Sequence, residues 1–113
     1  MSAYLSIRDE VLKKLDAHSS ELCGRFGIER LYLFGSVSRG EDTQESDIDL
    51  AYTRIPGKNI SLFQTVDLID RLEDLLGRKV DLIPLNQTKP LLRRYIERDM
   101  IECFSEPVQG AAV

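Results

Sequence analysis

Residues 31–52, LYLFGSVSRGEDTQESDIDLAY, decide how the rest of the chain is read. The pattern is a strand, a Gly-Ser turn opening a short helical segment, a polar loop, and a second strand carrying Asp47 and Asp49. Side chains alternate across a strand, so the two carboxylates share one face while Ile48 and Leu50 take the other. Residues two apart on a strand stand roughly 6.5–7 Å apart, near enough for both carboxylates to approach one divalent cation. Gly35 and Ser36 lie where the first strand ends. Glycine lets a ligand approach the backbone, and the N–H groups that open the following turn suit a phosphate. A phosphate cradle beside paired aspartates points to chemistry on a nucleoside triphosphate.

Working outward, residues 28–34 form a short apolar run stopped by Gly35, and residues 46–52 form the second strand. Upstream, residues 6–26 place Val11, Leu12, Leu15, Leu22, Cys23 and Phe26 at spacings of three and four, which predicts one amphipathic helix ending at Gly27. His18 within it reads as a structural or surface residue. Downstream, Pro56-Gly57 marks a turn in a loop over residues 53–59. A second long helix over residues 61–76 is expected to bury Leu62, Val66, Ile69, Leu72 and Leu76 on one stripe. Residues 80–83 form a third strand with Asp81 set among core residues. Pro90 starts a last helix carrying Leu91, Leu92, Tyr95 and Ile96, and residues 100–104 form a final edge strand. The order predicts an α/β (α+β) domain over residues 1–104, a small mixed sheet with helices packed on one side, followed by a tail over residues 105–113.

The chain has 113 residues, enough for one core. A net charge of −4 argues against an extended nucleic-acid surface, whose affinity comes mainly from lysine and arginine on phosphates. No stretch reaches membrane-spanning length and the N-terminus lacks an apolar signal core. A cytoplasmic protein is expected, with Cys23 and Cys103 as buried thiols.

Asp81 brings a third carboxylate towards Asp47 and Asp49. Three converging carboxylates repel unless one takes up a proton or a cation intervenes. Oxygen-only ligands favour Mg²⁺ or Mn²⁺, and two such ions can hold an attacking and a leaving oxygen around one phosphorus. Asp47 and Asp49 are expected to hold both ions. Asp81 completes the second site and is placed to accept the proton of an incoming hydroxyl. Ser36 is expected on a β- or γ-phosphate, and Arg39 either on the triphosphate or bracing the loop. Taken singly, a Gly-Ser turn, an Asp-x-Asp on a strand and a strand-edge aspartate each have an ordinary explanation; their conjunction carries the reading.

GSVSRGEDTQESDIDL, residues 35–50, resembles the signature of the DNA polymerase β-type nucleotidyltransferase superfamily in its minimal, single-domain branch, the MNT proteins. Gly35 and Ser36, Arg39 and Gly40, and Ser46, Asp47, Asp49 and Leu50 fill the pattern, and Asp81 in RKVDLI matches its third carboxylate. Ser38 stands where alanine is common. The resemblance implies a polymerase β-like core, ATP as substrate, Asp47, Asp49 and Asp81 as catalytic metal ligands, and Gly35, Ser36, Arg39 and Ser46 at the nucleotide. It also implies an antitoxin that transfers AMP to a tyrosine hydroxyl of a HEPN-domain toxin. Two other functions are compatible with it: masking a toxin by binding alone, or modifying a small hydroxylated molecule.

Overall fold

The computed structural model describes residues 3–57 and 61–105. The elements in chain order are α1 (Arg8–Ala17), α2 (Ser19–Phe26), β1 (Ile28–Phe34), α3 (Gly35–Ser38), β2 (Ile48–Arg54), α4 (Leu62–Leu76), β3 (Val80–Pro84), a 3-10 turn (Leu85–Gln87), α5 (Pro90–Asp99) and β4 (Ile101–Ser105). The strands form one mixed sheet in the order β3-β2-β1-β4. β1 runs antiparallel to β2 and β4, whereas β2 and β3 are parallel, joined by a crossover through α4.

Strand alternation divides the core in two. Leu31, Leu33, Ile48, Leu50, Tyr52 and Val80 face α1, α2 and α4, where Val11, Leu15, Leu22, Phe26, Leu68 and Leu72 complete the larger cluster. Tyr32, Phe34 and Ala51 face the other way, against Leu85 and Ile96. The mixed sheet is as expected, and α1, α2 and α4 do share one side. α5 is the exception, packing through Ile96 on the opposite face. β1 and β3 fall where the sequence puts them, Pro90 opens α5 at its first turn, and β4 is an edge strand, as is β3.

Four expectations need correction. The helix expected over residues 6–26 is two helices, broken at His18, whose Nδ1 lies 2.8 Å from the carbonyl of Lys14. The short helical segment, expected over residues 37–40 after a Gly-Ser turn, is the helix Gly35–Ser38 and begins at the glycine itself. β2 begins at Ile48 and runs to Arg54, so Asp47 precedes the strand. On α4 the buried ridge is Leu68, Leu72 and Leu76 at four-residue spacing, while Leu62 is 78% and Val66 49% exposed. At about 100° per residue, the expected stripe is centred roughly a sixth of a turn away from that ridge, which leaves Leu62 and Val66 off its edge. Ser61 caps α4 reciprocally with Gln64, and Gly77 ends it. Of the expected tail, residues 106–113 lie outside the described residues, as do residues 58–59 of the expected loop. No described helix is long and apolar enough to cross a membrane.

Candidate functional site

The register of the sheet brings the carboxylates together. Asp49 stands opposite Phe34 on β1 and opposite Asp81 on β3, so its two neighbours are the strand end that leads into Gly35 and another aspartate. Asp49 and Asp81 are directly paired across a parallel ladder and project on the same face, with Ala51 and Ile83 two residues on. That is the face opposite α1, α2 and α4. Asp47, one residue before β2, lies near enough to act on Asp49 electrostatically.

Gly35 is required here on two counts. Its φ of 76° lies in the left-handed region that side chains rarely adopt, and a Cβ at this position would meet the Oδ2 of Asp49 at 2.2 Å. The backbone opening α3 is therefore pressed against the central carboxylate. The Ser38 hydroxyl donates to the Gly35 carbonyl at 2.7 Å, so serine at this position supports the turn. Ser36 is half-buried, and among the described residues its hydroxyl makes no hydrogen bond.

Burial pushes the Asp49 carboxyl up to about 6, helped by the charges of Asp81 and Asp47 and by a hydrogen-bonding contact with Asp81, while the charge of Arg39 pulls the other way. A carboxylate crowded by two others in a partly dry site is what a cation relieves. No three His, Cys, Asp or Glu side chains among the described residues already stand as a formed ligand set. The observed crowding of Asp49 by Asp81 and Asp47, all oxygen donors, nonetheless fits a hard divalent cation.

The remaining expected residues are engaged with the protein. Arg39 donates through Nε to Glu41 at 2.6 Å and through Nη1 to Asp99 at the end of α5 at 2.7 Å. The Ser46 hydroxyl accepts from the Thr43 N–H at 2.8 Å, closing a turn just ahead of Asp47.

Sequence reasoning missed Asp42, Arg78 and Tyr4. Asp42 sits in a loop expected to be solvated but is only 6% exposed. Burial pushes its carboxyl up, yet hydrogen bonds from Ser6, Tyr4 and the Ile7 N–H more than offset this and hold it below its ordinary value. Arg78 reaches from the segment entering β3 to the carbonyls of Thr43 and Ser46. No local pattern links these residues.

A family model described as polymerase beta, nucleotidyltransferase, matches residues 19–107. Protein adenylyltransferase MntA of Thermococcus cleftensis is 35% identical over 95 residues, covering 82% of this chain and 92% of its own. A solved structure described as a minimal nucleotidyltransferase superposes with a TM-score of 0.67 at 36% identity, covering 81% of this chain and 92% of that one. A chain of a solved complex described as a tri-AMPylated Shewanella oneidensis HEPN toxin with an MNT antitoxin superposes with a TM-score of 0.60 at 18% identity, over 89% of this chain and 78% of that one. At that identity the likeness speaks to the fold alone.

Proposed function

This chain belongs to the polymerase beta nucleotidyltransferase family, and we propose that it is a cytoplasmic protein adenylyltransferase that transfers AMP from ATP to a tyrosine hydroxyl of a HEPN-domain toxin, acting as its antitoxin. The observation that carries the reading is Asp49: paired with Asp81 across a parallel ladder, crowded by Asp47, and pressed against a glycine that has no room for a side chain. Residues 1–104 serve as a single catalytic unit.

Asp47, Asp49 and Asp81 would hold Mg²⁺, which when bound supplies positive charge to the triphosphate. Gly35 and Ser36 offer a closely approachable backbone and an uncommitted hydroxyl to the phosphates. In the transfer, the acceptor oxygen bonds to the α-phosphorus, the bond to the pyrophosphate oxygen breaks, and pyrophosphate leaves with that electron pair. Asp81 would take the acceptor's proton; its exposure at the sheet edge supports this role. Arg39 and Ser46, both engaged with the protein, serve the nucleotide by holding the two ends of the loop between α3 and Asp47. The family membership and the relative named as a protein adenylyltransferase support the reaction class. The toxin complex among the similar folds motivates the partner.

The test is incubation with labelled ATP, Mg²⁺ and the candidate HEPN partner, comparing the native protein with an Asp47→Asn/Asp49→Asn variant. Label on a partner tyrosine, lost with the variant, is the expected result. Inhibition of the partner without label would replace transfer by masking, and label on a small hydroxylated acceptor alone would replace the protein target.

A further inference from the structure

Asp47 lies outside the ladder that fixes Asp49 and Asp81. The first backbone bond after it runs from the Ile48 N–H to the Lys79 carbonyl, 2.9 Å. Its position is therefore set by whatever holds the turn over residues 43–46, and that turn is held by one side chain from another part of the chain. We infer that Arg78 is a positioning residue that fixes Asp47 relative to Asp81, an inference that rests on reading the three aspartates as an ion site.

Arg78 Nη1 donates to the carbonyl of Thr43 at 2.7 Å and to that of Ser46 at 3.2 Å. The Ser46 carbonyl shares a rigid peptide plane with the Asp47 N–H, so fixing one fixes the direction in which the chain enters Asp47. Nη2 donates to the Tyr4 hydroxyl at 2.7 Å, and the guanidinium carbon lies 5.6 Å from the centre of the Tyr4 ring. Tyr4 in turn donates to Asp42 at 2.5 Å, and Asp42 also accepts from the Ser6 hydroxyl and from the Ile7 N–H at 3.2 Å. The guanidinium is thereby anchored directly to the N-terminal segment at Tyr4, and the buried Asp42 carboxylate holds that segment in place. Arg78 itself precedes Asp81 by three residues on the segment entering β3. One planar fork thus ties the backbone carrying the first carboxylate to the backbone carrying the third. A lysine, with one compact ammonium, does not span the same three acceptors with fixed geometry.

The experiment is a titration of the full chain with Mn²⁺ alone, with the free ion read by electron paramagnetic resonance. Arg78→Gln is expected to weaken binding about tenfold, as loss of an outer-shell partner commonly does. Arg78→Lys and Tyr4→Phe are each expected to weaken it roughly threefold, the scale of a single net hydrogen bond. Arg71→Gln, which removes the ion pair with Glu21 between α4 and α2, is expected to lower the melting temperature and leave Mn²⁺ affinity at the native value. Native affinity in Arg78→Gln, or in Tyr4→Phe if the former does not fold, would overturn the inference and leave the aspartate reading standing. Absence of any saturable Mn²⁺ binding that Asp49→Asn removes would overturn both together.

Discussion

Replacing Asp49 with asparagine is expected to stabilise the metal-free protein at neutral pH while removing its activity. The Asp49 carboxyl lies at about 6 in the folded chain against an ordinary 3.8. Between those values the folded state binds more protons than the unfolded one. Its contribution to stability is therefore complete below about pH 3.8 and is lost as pH rises through 6. A gap of about two pH units corresponds to about 3 kcal/mol. Because Asp49 keeps some contact with water, screening reduces this to about 1–2 kcal/mol. For a chain of this size that is a rise in melting temperature of about 4–8 °C for Asp49→Asn at pH 7.5. The assay is urea and thermal unfolding with a chelator present, at pH 7.5 and pH 4. The advantage of the variant is expected to shrink towards zero at pH 4, where the native side chain is already protonated. With Mg²⁺ and a non-hydrolysable ATP analogue the order is expected to reverse, since only the native protein gains from binding. Equal stability at pH 7.5, or an advantage that persists undiminished at pH 4, would refute the account of Asp49 as a strained carboxylate.

Gly35→Ala is expected to cost about 1–2 kcal/mol from its positive φ alone. It should also lower transfer about a hundredfold or more by displacing Asp49, checked by unfolding midpoint and initial rate. Arg39→Gln removes the charge that holds Asp49 down; the Asp49 titration in the metal-free protein, followed by carboxyl NMR, is expected to move to higher pH. Burial pushes the Cys103 thiol up to about 12, so it is expected to resist a thiol reagent at pH 8 in the native state and to react once urea unfolds the chain.

Where the signal is local, the sequence was readable. The apolar run of β1, the glycines after α2 and α4, and the proline opening α5 each act through the conformation of one or two residues, and each stands where expected. Periodicity served less well. The apolar spacing continues across His18 although the helix does not, because spacing carries no record of a backbone break. On α4 it favoured Leu62 and Val66, whereas α1, α2 and β3 cover Leu68, Leu72 and Leu76. Asp49 and Asp81 were found because each is a charge within an apolar strand. Asp42 was not, since its burial depends on Tyr4, 38 positions away, and on Ser6, 36 positions away. Arg78 was equally opaque, reaching back 74 positions to Tyr4.

The parallel pairing of β2 with β3 also bears on when the site comes into being. A hairpin brings its strands together as soon as a few residues have turned back, but these two meet only after α4 has crossed between them. A nascent chain that stops short of β3 has one aspartate-bearing segment and no opposing carboxylate. A slip of one position would send Asp81 to the far face. The pairing of Asp49 with Asp81 therefore arrives late and all at once, and a half-made or misregistered molecule holds the same residues without bringing them together.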